Sequence, residues 1–211
     1  KTVNEWLFGW EDSRYDIFDQ NKYFPGILGE NTSNIKNLYT SFYTGEDYIN
    51  NAFQYYKYHN NTTIQTTTGA QAWQMGAASR VLGTDGLHFP PFIDPKKTYL
   101  VYFDEFKRSI PFTSTKSYKY NNLDLERFQI IPDALENSTT NPTNVHWDIG
   151  LSGIFNLTKF TSMPMIISQP HFLGCSASLS DKVVGLSPNN DLHETFLDVH
   201  KITGVVILAQ K

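Results

Sequence analysis

The 211-residue chain is long enough for one domain with a real core, or for part of a larger one. Hydrophobic residues make up 40% and charged residues only 18%, while aromatics reach 15%, which argues against both a disordered chain and a long-helix protein. The net charge is −4 and there is no basic stripe, so nucleic acid is not expected as a partner.

No apolar run approaches the ~20 residues that would span a bilayer, and no secretory leader is legible at the start. Thr2-Val3-Asn4-Glu5 reads as a capping box, followed by apolar residues at helical spacing, Val3, Trp6, Leu7 and Trp10. The chain thus begins inside a predicted helix and ends in an apolar run, Val205–Ala209. It is expected to be one piece of a longer protein, with residues 1–211 a single partial domain without an internal boundary.

Residues 19–37, rich in Asn, Gly and Lys, read as a loop. Residues 37–45 and 53–59 carry Tyr and Phe at strand density, with Thr44-Gly45-Glu46-Asp47 as a turn between them. Residues 60–70 form a turn or an edge strand, and residues 73–80 are ambiguous. Thr98–Phe103 is a dense strand, Arg108–Ser114 another, and Arg127–Ile131 a third, followed by a long Asn/Thr/Pro loop.

Met165-Ile166-Ile167 is an apolar strand stopped by Pro170. Thr195–Val199 and Val205–Leu208 flank Ile202-Thr203-Gly204 and predict an antiparallel pair around a short glycine turn. Many strands and few helices suit an α+β, mainly β fold. It would be an irregular antiparallel barrel-like core with short helices at its ends.

Three groups of residues together carry a family signature. The first is Val3-x-Glu5-x-Leu7-Phe8-Gly9-Trp10-x-Asp12. The second is Gly83-Thr84-Asp85-Gly86 with Phe89-Pro90-Pro91-Phe92. The third is Pro164-x-x-x-Ser168-x-Pro170-His171-Phe172, then Gly185-Leu186-x-Pro188-Asn189, His193–Asp198 and Thr203-Gly204. In this order and spacing the chain resembles the class B scavenger receptor family, whose members include lysosomal integral membrane protein type 2. It resembles roughly the second half of that family's luminal domain, which sits between two membrane helices.

The chain departs from the pattern in places. Ser13 stands where the family usually has proline, and Leu82 where it often has a sequon asparagine. The family's disulfide positions hold Lys107 and Phe160 here, with another near Ala78, and the cysteines of the 137–150 loop are absent. A bridge closing ~50 residues is worth roughly 4 kcal/mol. The lone Cys175 is expected to be buried and inert, or bridged to a part of the protein outside this chain.

The resemblance implies a lipid tunnel through the barrel, carrying sterol, fatty acid or phospholipid toward the membrane. Phe89, Phe92, Met165, Ile167 and Phe172, set beside prolines in the matched stretches, are its expected lining, although ordinary core is the alternative for each. The family's scavenger-receptor branch places a Lys-Glu pair where this chain has Phe160 and Thr161. Neutral or zwitterionic lipid is therefore expected over a clamped carboxylate.

The resemblance also implies a lysosomal or endosomal membrane, luminal side, with the plasma membrane second, and anchors outside this chain. Its lysosomal branch adds a sorting role for a lysosomal hydrolase. The alternative is an adhesive or particle-binding receptor, as in phagocytosis, that conducts no lipid. The remaining part of the same luminal domain is the expected structural partner.

Five sequons, at Asn31, Asn60, Asn61, Asn137 and Asn156, point to N-glycosylation in the secretory pathway. Other chemistry finds little footing. Glu194, Asp198 and His200 would share one strand face while His193 points away, which is not a metal-ligand spacing. Gly150-Leu151-Ser152-Gly153 is followed by Ile154, so the G-x-S-x-G nucleophile elbow fails. No enzyme activity, cofactor or metal is expected.

Overall fold

The computed structural model describes residues 10–11, 23–24, 39–64, 72–73, 78–158 and 165–210. The predicted helix over residues 2–9 lies outside them. Trp10, read at helical spacing, is instead in a strand: β1 (Trp10–Glu11) pairs antiparallel with β2 (Tyr23–Phe24), inside the stretch read as a loop.

The centre of the molecule is a five-stranded antiparallel sheet, curled into a half-barrel. Its strands are β5 (Tyr99–Phe103), β6 (Arg108–Tyr120), β7 (Leu123–Ile130), β10 (Phe196–His200) and β11 (Val206–Gln210), in the order β11-β10-β7-β6-β5. Two small ribbons flank it. One pairs β3 (Ser41–Phe42) with β4 (Tyr55–Lys57), and the other pairs β8 (Ile154–Asn156) with β9 (Ile166–Ser168).

The sheet forms because alternate residues are apolar. Val101 and Phe103, Ile110 and Phe112, Phe128, and Leu197 and Val199 are all buried in one cluster, at period 2 along each strand. Val101 faces Ile110, Phe112 faces Ile130, and Phe128 faces Leu197 across the ladder. On the other face of β5, Tyr102 packs into a second cluster with Ile64, Trp73 and Val81, and with Tyr55 and Tyr58 at its margin.

Residues 84–93 strap the sheet from one edge strand to the other. Thr84 bonds to both Leu100 and Tyr102 on β5, with N···O distances of 3.0 and 2.9 Å. Further on, Val206 N–H donates to Leu87 O, Phe89 N–H to Gly204 O and Ile93 N–H to Lys201 O, at 3.0, 2.7 and 2.8 Å. Pro90 and Pro91 carry no N–H, so the strap cannot continue as a regular strand.

Glycine is required at both ends of the strap. A Cβ on Gly83 (φ 85°) would lie 1.9 Å from Leu100 O, and one on Gly204 (φ 74°) 2.0 Å from Phe89 O. Through Gly204 the third matched group of residues meets the second at Phe89, and each glycine lets backbone touch backbone.

The remaining readings compare closely with the structure. β9, β10 and β11, with the Gly204 turn, fall where they are predicted. The turn at 44–47 opens into a longer excursion with a 3₁₀ turn at Ile49–Asn51. β6 runs on to Tyr120 and β7 starts at Leu123, both longer than their apolar runs. His193 closes a helical turn, Asn190–His193, capped by the Asn189 side chain, rather than lying on a strand.

Candidate functional site

The five residues expected to line a lipid path do not gather in one place. Phe89 hangs from the strap into the main core and is fully buried, its ring 5.5 Å from Tyr99 and 6.0 Å from Phe128. Phe92, three residues on, is 71% exposed and holds a positive φ of 58°, an uncommon backbone state for an aromatic residue. Its N–H donates to Ile202 O, which fixes it there at 3.0 Å.

Met165 and Ile167 are half-buried beside β8, and Phe172 is half-buried in the turn after Pro170, again at positive φ. Ile167 stands opposite Phe155 in the β8–β9 ribbon. Phe155 stacks on Phe106 at 4.3 Å, Phe106 meets Phe103 at 5.4 Å, and Phe103 meets Phe112 at 6.1 Å. An aromatic row thus runs from the core of the sheet to the residue facing Ile167.

The glycan positions are partly described. Asn60 is exposed in a turn at positive φ, and Asn61 donates from Nδ2 to His59 O. Asn137 accepts from Thr139 and Thr140 N–H in an Asx turn, and Asn156 is half-buried on β8. Asn31 lies outside the described residues.

The acidic and histidine cluster at 193–200 separates. Asp198 is not on a solvated face: it is fully buried on β10, opposite Arg127. Arg127 grips it with two hydrogen bonds of 2.7 and 2.6 Å, and Tyr118 O–H adds a third of 2.6 Å. Among the described residues no group of three His, Cys, Asp or Glu side chains could hold a metal ion. His171 and His193 stack at 4.3 Å, each accepting a backbone N–H at Nδ1, from Ser187 and Asn189.

Cys175 is half-buried and unbridged, its Sγ–H donating to Gly153 O at 3.1 Å. Burial pushes its thiol up, with a smaller opposing pull from Ser168, so it is poorly reactive. Ser152 of the failed nucleophile elbow is buried, and its hydroxyl donates to Glu136 at 2.6 Å.

The structure adds one feature that the sequence reading missed. A cleft of about 350 Å³ opens beside β5 and β6, walled by Leu82, Leu100, Pro111 and Ile131, with Arg108 and Trp147 in its lining. None of the five expected tunnel residues reaches it. The signal was available: Arg108, Ile110 and Phe112 share one strand face, and a cation there must be buried with the apolar pair.

A sequence model described as the CD36 family matches residues 1–211. Lysosome membrane protein 2 of Rattus norvegicus is 27% identical over the whole chain, and its counterpart in Homo sapiens 28%. Scavenger receptor class B member 1 of Sus scrofa is 28% identical over 97% of the chain. The chain spans 44%, 44% and 41% of those relatives, less than half of each. No helix among the described residues is long and apolar enough to cross a membrane.

Proposed function

The chain belongs to the CD36 family, and on that premise we propose that it is the extramembrane part of a membrane receptor that binds and passes lipid. The relatives are named as a lysosome membrane protein and as scavenger receptors, not as enzymes. The lysosomal or endosomal membrane is the favoured place, with sterol, phospholipid or fatty acid as cargo.

The observation that carries this reading is the aromatic row from Phe112 through Phe103, Phe106 and Phe155 to Ile167. A lipid path needs a continuous apolar wall with few charges, and this row supplies one that ends on a half-buried residue. Met165 and Phe172 are the half-buried apolar residues where lipid would enter or leave, while Phe92, 71% exposed, lies on the outer surface. The exposed apolar surface near Phe92 would meet another part of the same protein.

Ile167→Trp tests the reading. In a filled core the added bulk strains the fold by ~1–3 kcal/mol and lowers the melting temperature. In an open path it fits, leaves melting nearly unchanged, and obstructs the lipid. The expected result for the intact protein is lipid transfer between vesicles reduced severalfold with an unchanged melt. A clear drop in melting temperature with normal transfer per folded molecule would exclude Ile167 from the path.

A further inference from the structure

Arg108 opens β6 and is only 6% exposed, yet it has no carboxylate partner among the described residues. Its Nη2 donates to Ala134 O and to Asn144 Oδ1, both at 2.9 Å. Asn144 is itself fixed, since its Nδ2 donates to the carbonyls of Asp133 and Glu136. The guanidinium lies flat on Trp147, 3.8 Å from the ring centroid.

Two donors are left over. Arg108 Nε–H and Trp147 Nε1–H are both buried and, among the described residues, neither finds a hydrogen-bond acceptor. Buried donors are rarely left unmade, and a buried charge without a counter-ion is costlier still. Burial alone pushes the guanidinium down to about 10.

Two nearby carboxylates are committed elsewhere, Glu136 accepting from Ser152 and Asp148 from Ser138 and Gly150. Both unsatisfied residues line the 350 Å³ cleft, whose lining also holds the exposed Arg80 and Asp133, with apolar walls at Leu82, Leu100 and Ile131.

We propose that this cleft binds an oxyanion, a carboxylate or a phosphate, with Arg108 and Trp147 as its donors. Arg108 supplies the fixed positive charge and one free donor, its Nε–H, since Nη2 is already spent on Ala134 and Asn144. Trp147 supplies the second N–H from the ring on which Arg108 rests. Arg80 adds a second positive charge to the lining. The anion can be free, or it can be the head of an amphiphile whose tail runs along the apolar walls. The second form rests on the lipid reading above; the first does not.

Calorimetric titration of the intact protein separates these forms. The probes are inorganic phosphate, acetate, octanoate and the neutral octanol. One equivalent of phosphate or octanoate is expected to bind, while octanol is not. Trp147→Phe keeps an aromatic face under Arg108 but removes the indole N–H together with its pyrrole ring, so anion affinity is expected to fall at least tenfold while the circular dichroism spectrum stays that of the parent. Arg108→Gln is expected to abolish binding. Should that variant fail to fold, Trp147→Phe still decides the matter.

Octanoate binding far tighter than acetate assigns a lipid head. Equal affinity for acetate and octanoate, or binding of phosphate alone, assigns a free anion. Unchanged affinities in Trp147→Phe, octanol binding as tightly as octanoate, or no anion binding at all would overturn the site. An intact protein that binds phosphate but transfers no lipid between vesicles would count against the lipid path only.

Discussion

Glu126 is a buried carboxyl whose charge the protein holds in place. It sits on β7 almost without exposure, and takes hydrogen bonds from Ser114 and Ser117 and the ammonium of Lys201 at 3.0 Å. Burial pushes its titration up, but these three partners together outweigh burial and hold it below the usual carboxylate range. A carboxyl lowered on folding adds stability above its unfolded value and loses it as pH falls through the folded one. Lys201→Met is therefore expected to move the acid-unfolding midpoint to higher pH. The shift is expected to be small, because Lys201 is 35% exposed and solvent screens its charge. Circular dichroism across pH 3–6 reads the midpoint, and an unmoved midpoint would mean that the serines alone hold the charge. The Glu126–Lys201 pair was not legible in the sequence, nor was Arg127 with Asp198, because each joins residues more than 70 positions apart.

Among the elements, the strands carrying apolar alternation were legible and the long hairpin was not. β10 and β11 were read from the apolar runs on either side of Gly204, although Asp198 is buried in β10 between two apolar residues. In β6 the pairing shifts between Ser114 and Lys116, so one extra residue swaps the faces and breaks the period-2 pattern just where the chain turns polar. The β6–β7 turn was masked for a second reason. Tyr120 pairs with Leu123, which makes Asn121-Asn122 a two-residue loop, and both asparagines hold positive φ, at 46° and 64°. That is a mirror-image hairpin turn, whose stronger sequence sign is Asn-Gly. Asn122→Gly is expected to relieve the turn and stabilise the protein by ~0.5–1 kcal/mol, raising the melting temperature by roughly 1–4 °C. A lowered melting temperature would show that the Asn122 side chain contributes more than its backbone state costs.

At the scale of the molecule, the class of fold was legible in the density of Tyr and Phe and the frequency of turn residues. The strap was not, because it docks through backbone carbonyls that any residue offers; only Gly83 and Gly204 betray it. Where the strap ends, apolar side chains face outward together. Phe92 and Ile202 are joined through their backbones, Leu87 bonds to Val206, and Phe53 stacks on His88, which bridges Val205. Phe53, Leu87, Phe92, Ile202 and Val205 are all exposed. Contiguous apolar surface of this kind is uncommon on a free monomer, and β11 beside it is an edge strand able to pair with another chain. The chain also spans less than half of the relatives it matches. Residues 1–211 produced alone are therefore expected to self-associate in light scattering and to bind a hydrophobic dye. Leu87→Lys with Ile202→Lys is expected to reduce both, since two charges divide the patch without touching the core. Co-production with the rest of the protein is expected to abolish dye binding in the unmodified chain. A monodisperse monomer with a sharp melt and no dye signal would show that the patch needs no cover.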